Sequence, residues 1–203
     1  RNPLQTINWG VECLQREIGE KSEVSEVVEE IAYGCRWMNN VIEELLYYAK
    51  PATIEPCWQP LRAIVDEALG LIGHKLKNVS VQKEVGRRKV FADSQRMTRV
   101  LVNLISNAAD AMPKGGTLKI CAQRCKHDGR SVLKRSVSDT GCGISEERLR
   151  QVHEPFFTTK PRGAGLGIPI CKKIVQAHDG SLSIQSKVNE GTTVEIILPL
   201  PPK

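Results

Sequence analysis

Residues 99–111 read Arg99-Val100-Leu101-Val102-Asn103-Leu104-Ile105-Ser106-Asn107-Ala108-Ala109-Asp110-Ala111. Leu101, Leu104, Ile105 and Ala108 recur at helical spacing, so the stretch reads as a helix with one face in a core. Asn103 and Asn107 stand four apart, which puts both carboxamides on one side of that helix. Asn is a mediocre helix-interior residue, so two of them on one face look placed for a ligand. A carboxamide oxygen is a hard, neutral donor. It suits Mg²⁺, which keeps several waters and borrows substrate phosphates. Two surface amides would be spelled the same way.

Three segments toward the C-terminus also carry chemistry. Ser138-Asp139-Thr140-Gly141-Cys142-Gly143-Ile144 places an acid at a strand end before two spaced glycines. The glycines allow a tight turn and close backbone approach to a flat ligand. A buried carboxylate there accepts a hydrogen bond from an exocyclic amine such as that of adenine. An ordinary β-turn is the plainer reading. Gly163-Ala164-Gly165-Leu166-Gly167-Ile168 opens a helix running to His178. A helix N-terminus offers unpaired N–H groups and positive potential to phosphates. A flexible surface loop would also be rich in glycine, and the segment matches neither GxxxxGK[ST] nor GxGxxG after a strand. Between the two lies Glu154-Pro155-Phe156-Phe157-Thr158-Thr159-Lys160-Pro161-Arg162, with two of the three phenylalanines and two cations able to pair with phosphate oxygens. Either phenylalanine also serves as a core anchor.

The remaining elements follow from period and punctuation. Leu61–Ile72 reads as an amphipathic helix, and Val79–Val85 and Val90–Ala92 as strands. Asp93 or Ser94 caps a helix running to about Met112. Thr117–Cys125 and Val132–Val137 are strands joined across Lys126–Arg130, with Asp128-Gly129 as the turn signal. Glu146–Val152 is a short helix and Gly165–His178 a longer one. Leu182–Ser186 and Thr193–Leu198 close a hairpin after the Asp179-Gly180 turn. One mixed sheet with helices on one face is expected, a two-layer α/β sandwich.

Upstream, Leu4, Ile7, Val11, Leu14 and Ile18, then Val24, Val27, Ile31, Met38, Val41, Leu45 and Tyr48, step by three and four, with Gly34 in the missing position. That is the pattern of bundled helices. Gly19 ends the first helix and Ser22 caps the second. The short connection implies an antiparallel hairpin. Two helices bury too little apolar surface alone; a second copy would complete a four-helix bundle. Pro51, Pro56 and Pro60 mark a boundary near 51–57, giving domains 1–52 and 53–203 and an α+β class.

The chain has 203 residues, 40% hydrophobic and 26% charged, with a net charge of +6. These values fit packed domains and argue against wholesale disorder. No apolar run approaches the ~20 residues of a membrane span. The positive balance suits a phosphorylated ligand or an acidic partner, and no basic cluster with interleaved aromatics points to nucleic acid. Seven cysteines, with no CxxC pair, read as free thiols of a reducing compartment, hence a cytoplasmic location. Cys121 and Cys125 share a strand face but find no partners for a metal site. Arg135 falls on the apolar alternation of Leu133 and Val137, so either a bulge shifts the register or the arginine snorkels to an edge.

In order and spacing, these segments resemble the nucleotide-binding boxes of the sensor histidine kinase ATPase domain, the Bergerat fold. Asn103–Ala111 resembles the N box, Asp139–Ile144 the G1 box, Glu154–Lys160 the F box and Gly163–Ile168 the G2 box. Gly191-Thr192-Thr193 with Ile197-Leu198-Pro199 is similar to the closing GTxxxxxLP segment. Arg1-Asn2-Pro3-Leu4 resembles the tail of the H box, HExRNPL, and Leu45–Pro51 the exit of the dimerisation hairpin. The Phe-Phe-Thr-Thr-Lys lid is similar to the nitrogen-regulation type.

The resemblance implies that ATP and Mg²⁺ bind. Asn107 would ligate the metal, with Asn103 near the phosphates. Asp139 would read the adenine amine, supported by Thr192 through water. Gly141 and Gly143 would line the base, and Gly163, Gly165 and Gly167 would face the phosphates. Asp110, Ile144, Phe157 and Leu166 fall among the nucleotide-contacting positions. Lys160 and Arg162 are lid cations by charge and position. The implied reaction moves the γ-phosphoryl group of ATP to a histidine and then to an aspartate on a response regulator receiver domain. The partners implied are a second copy through the hairpin and that receiver, with no membrane contact by this segment; anchoring of the parent in the inner membrane stays open. The phosphoacceptor histidine of HExRNPL would stand three residues before Arg1. His74, His127, His153 and His178 do not match it, and His178 falls at a structural helix-end position. The chain is therefore expected to be the interior of a longer protein, able to bind nucleotide but not to autophosphorylate at the usual site. Asn2, four after that histidine, is a candidate for orienting water in regulator dephosphorylation. The other reading is an ATP-gated conformational module of the same superfamily without kinase activity.

Overall fold

The computed structural model describes residues 3–17, 23–127, 130–160 and 163–201. Ile18, Gly19, Ser22, the Asp128-Gly129 turn, Arg162, and Arg1 and Asn2 lie outside the described residues. The chain divides into two compact units, one of residues 1–50 with 159–164, the other of 51–158 with 165–203.

The first unit is built on α1 (Pro3–Glu17) and α2 (Glu23–Ala49). Pro3 opens α1, where its missing N–H costs nothing. Val11 shares a buried cluster with Val28 and Ala32, as an antiparallel hairpin requires. Cys35 is buried on the same side of α2. The large residues of the expected stripe behave differently. Ile7, Leu14, Val24, Met38 and Leu45 are exposed, as are Val27 at 56% and Ile31 at 47%. The internal seam of α2 therefore runs one residue beside the stripe, on Val28, Ala32 and Cys35. Periodicity locates an apolar face about 100° wide but not which of its edges meets which neighbour.

In the second unit, β1 (Cys57–Pro60) pairs antiparallel with β3 (Lys89–Ala92). Pro56 before it and Pro60 at its end hide β1 from the sequence reading; Pro60 is tolerated at the end of a two-stranded ribbon, and Trp58 packs on Phe91 with ring centroids 5.6 Å apart. The main sheet holds β2 (Val79–Glu84), β4 (Gly116–His127), β5 (Arg130–Asp139), β6 (Ser181–Lys187) and β7 (Gly191–Pro199), in the order β2-β4-β5-β7-β6. β2 and β4 are parallel and the other pairs antiparallel, so the sheet is mixed. α3 (Leu61–Leu71), α4 (Ser94–Ala111) and α6 (Gly167–Ala177) cover it, with a short α5 (Glu146–Gln151). The covered face holds Leu118, Ile120 and Ala122 of β4, Leu133 and Val137 of β5, and Val194, Ile196 and Leu198 of β7, all buried. Against them lie Met97, Val100, Leu101, Leu104, Ile105 and Ala108 of α4. This is an α+β architecture with a two-layer sandwich. The expected elements are present with shifted ends. α6 begins two residues later than read, because Gly165 has φ +69° and cannot be helical.

Arg135 departs from both sequence expectations. β5 pairs continuously with β4 and β7, so no bulge intervenes. The side chain does not snorkel: it is 3% exposed, in a row with Ala122 and Ile196. One Nη meets the sulfur of Met97 at 3.4 Å. Among the described residues, Nε and the other Nη have no hydrogen-bond partner, and burial pulls the guanidinium down to about 10. The small Ala122 beside it leaves room that a bulkier neighbour would fill.

Candidate functional site

Helix α4 positions the amides, and its start is held three ways. The Asp93 carboxylate accepts the Arg96 N–H at 3.1 Å, an N-cap. Its other oxygen accepts the Glu55 N–H at 3.1 Å. The Asp93 N–H donates to His178 Nε2 at 3.0 Å, while His178 Nδ1 lies 2.8 Å from the Ile174 carbonyl. Those partners require Nδ1–H donating and Nε2 accepting, a neutral imidazole that ties the end of α6 to the start of α4. His178 is structural, as read.

From this frame Asn103 and Asn107 project off the packed stripe, both half-buried. Asn103 Nδ2 lies 3.5 Å from the Gly167 carbonyl in the first turn of α6, and its side chain also meets the Cys171 thiol, which burial pushes up to about 12. The amide helix and the start of α6 are thus coupled through Asn103. One turn on, Asp110 Oδ1 accepts from Lys75 Nζ at 3.1 Å.

Asp139 is the last core-facing position of β5, after Leu133, Arg135 and Val137, in a row with Leu118 and Thr192. The strand's alternation aims it beneath the helices. Its Oδ1 accepts from Gly141 N–H at 2.9 Å and Thr192 N–H at 3.3 Å. Among the described residues Oδ2 has no such bond, leaving an acceptor for an outside donor. Burial raises the carboxyl above the usual aspartate value, and the two N–H bonds oppose that rise.

The glycines here first serve chain packing. A Cβ at Gly141 would lie 2.7 Å from Ala111 Cβ, where the turn docks on α4, and the Cys142 N–H bonds the Ala111 carbonyl at 3.1 Å. At Gly143, φ is +68° and a Cβ would collide with the Lys187 carbonyl. Ile144 N–H donates to Ser186 Oγ at 2.8 Å. That hydroxyl donates to the Gly191 carbonyl at 2.9 Å and lies 2.9 Å from Thr192 Oγ1. With its proton on Gly191, Ser186 takes the Thr192 proton. Ser186 thereby clamps the 141–144 turn to β7, and sequence reasoning missed it. Its signal was a polar residue on the alternation of Leu182 and Ile184.

Phe156, exposed and with φ 69°, donates its N–H to the Gly165 carbonyl at 3.1 Å. The Gly165 α-carbon rests on the Phe156 backbone, where no side chain fits. Phe157 is half-buried. In the loop between them the Gly163 N–H bonds the Lys160 carbonyl at 3.2 Å. Leu166 is a fully buried core side chain, so only its backbone is available to a ligand. Helix α6 starts with no side-chain cap and no acid in its first turn, leaving positive potential there for an anion. Among the described residues no group of three His, Cys, Asp or Glu could hold a metal ion. A carboxamide oxygen such as that of Asn107 is a hard, neutral donor of the kind that suits Mg²⁺ and not Zn²⁺.

The second unit thus presents a mixed sheet under three helices, with an end-of-strand acid, paired helix amides and an uncapped helix start. The family model described as histidine kinase-, DNA gyrase B-, and HSP90-like ATPase matches residues 92–202, and the chain belongs to that family. Sporulation kinase C of Bacillus subtilis (strain 168) is 32% identical over 98% of this chain and 46% of its own length. The histidine kinase ThkA, solved in complex with the response regulator protein TrrA, is 25% identical with a TM-score of 0.72, covering 98% of this chain and 58% of that one. ShkA, solved full-length in complex with AMPPNP, shares the fold at 19% identity and a TM-score of 0.81, over 97% of this chain and 43% of that one. The chain spans less than half the length of the curated relatives it matches. No helix among the described residues is long and apolar enough to cross a membrane.

Proposed function

We propose that this chain is the dimerising and ATP-binding part of a sensor histidine kinase. The observation that carries the reading is Asp139, half-buried, with one carboxylate oxygen held by two N–H groups and the other available beside the 141–144 turn. A purine amine donating to Oδ2 is fixed at that spot, and the turn's backbone flanks the base. The triphosphate then extends toward Asn103, Asn107 and the start of α6, whose N–H groups receive anionic oxygens. Thr192 and Ser186 hold Asp139 and the turn in register. Asn107, with Asn103 behind it, is the proposed Mg²⁺ ligand; the bound ion neutralises phosphate charge. Phosphoryl transfer has a loose transition state, so placement and charge neutralisation suffice from the protein. Lys160 and Arg162 are the proposed lid cations, and the short lid supports the nitrogen-regulation type.

The hairpin, proposed as residues 1–52 beside a catalytic domain of 53–203, is the proposed dimerisation and phosphotransfer element. Its support is the exposed stripe Ile7, Leu14, Val24, Val27 and Ile31. The acceptor is a neutral imidazole in an H box; its nitrogen bonds the γ-phosphorus as the bond to the bridging oxygen of ADP breaks. The response regulator is the proposed next acceptor, as the ThkA–TrrA complex suggests, and Asn2 is the proposed water-orienting residue for the reverse hydrolysis.

The test mixes this chain with a separate hairpin peptide carrying an intact H box and with γ-labelled ATP. Acid-labile phosphohistidine on the peptide, lost in Asn107→Ala, is the expected result. ATP hydrolysis without transfer would instead assign an ATP-gated conformational module.

A further inference from the structure

Lys75 belongs to none of the four nucleotide motifs. It sits in the 3-10 turn Gly73–Leu76, between α3 and β2. Its Nζ lies 2.9 Å from Ser106 Oγ and 3.1 Å from Asp110 Oδ1. Ser106 and Asp110 are four apart, so one ammonium spans a turn of α4. Asp110 is the only acid in that helix. It follows Asn107 by three residues and Asn103 by seven, so the three share a face. The carboxylate also lies in the last helical turn, where the helix dipole disfavours negative charge. Lys75 is 39% and Asp110 33% exposed at the side chain. An ion pair this accessible adds little to folding stability. Its placement matters for another reason: without this ammonium the Asp110 carboxylate beside Asn107 would repel an incoming polyphosphate more strongly.

We propose that Lys75 is an electrostatic specificity residue for the nucleotide's phosphate chain: by holding Asp110, it cancels a negative charge on the face that carries Asn103 and Asn107. The inference rests on the nucleotide reading above and deepens it. The base-reading end of the site does not sense Lys75, so its effect grows with the number of phosphates. Unit charges several ångströms apart at a protein surface support a change of about fivefold in affinity.

The experiment is calorimetry of the whole chain with Mg·ATP, Mg·ADP and adenosine. Lys75→Met, which keeps the stem and removes the charge, is expected to weaken Mg·ATP about fivefold and Mg·ADP less, and to leave adenosine unchanged. The loss should shrink at high salt. Lys75→Arg should keep wild-type affinity. Adding Lys75→Met to Asp110→Asn should change Mg·ATP affinity by less than about twofold relative to Asp110→Asn alone, because the lysine then has no carboxylate charge to cancel. Equal losses for all three ligands, no loss for Mg·ATP, or a further loss of about fivefold when Lys75→Met is added to Asp110→Asn would each overturn the proposal. A folded wild-type chain that binds none of the three sinks the nucleotide reading itself, a result separable from the others.

Discussion

The hairpin and the sheet domain solve the burial problem in opposite ways. The sheet domain hides most of its large apolar residues between one sheet face and three helices, leaving Trp58, Leu71, Phe156 and Val188 exposed, and buries among them the Arg135 guanidinium, two of whose nitrogens lack a hydrogen-bond partner among the described residues. The described hairpin buries only Val11, Val28, Ala32 and Cys35, and leaves Ile7, Trp9, Leu14, Val24, Val27, Ile31 and Leu46 exposed. So many exposed apolar side chains on two helices are characteristic of an interaction surface. The sheet domain has a core of its own; the described hairpin buries far fewer apolar side chains.

The contrast breaks most visibly at Ile31. Ile31→Glu places a charge on the open stripe and is expected to convert the proposed dimer to monomers in sedimentation velocity, with Mg·ATP affinity kept. A variant still dimeric would show that this stripe is not the association surface. Ile105→Ala should do the reverse. Truncating a fully buried helix residue costs about 2–5 kcal/mol of unfolding free energy, read by urea titration, and leaves association alone. Arg135→Met sharpens the picture of the closed core. Replacing a buried ionic group, two of whose nitrogens lack partners among the described residues, with an apolar one of similar length is expected to stabilise the domain by about 1–4 kcal/mol, seen as a raised thermal midpoint. A lowered midpoint would mean that the arginine supports the core.

Asp139→Asn probes the site at the domain's edge. Losing a charged acceptor should weaken adenine-nucleotide binding by about 1.5–3 kcal/mol. Adenosine and Mg·ATP should lose equally, unlike the Lys75 case. The pH dependence has two signs. Burial raises the Asp139 carboxyl above its ordinary value, so this group favours the fold below the unfolded value, and that contribution is lost as pH rises through the folded one. Nucleotide affinity moves the other way, falling on acidification once Asp139 takes a proton, at a higher pH than an ordinary aspartate would set. Unchanged affinity in Asp139→Asn, or a loss that ignores pH, would remove Asp139 as the base reader.

Much of the second unit was legible because its signals are local. The α4 stripe, the β5 alternation that aims Asp139 inward, and the glycine-bearing turns all follow from periods and residue types. Strand β1 was not legible, since Pro56 and Pro60 mask a segment whose order comes from pairing with β3. Nor were the contacts of Ser186 with Ile144 and of Lys75 with Ser106 and Asp110, whose partners lie distant in sequence.

The sequence by itself determined which faces are apolar, where the chain turns, and which polar residues sit on those faces, because these depend on spacing and backbone preference. Tertiary structure alone decided that Arg135 stays inside the core, that α2 packs on Val28 and Ala32 while Val27 and Ile31 remain open, and that Lys75 closes on Asp110. Each is a choice among neighbours brought together by the fold, and pairing across such distances leaves no period to read.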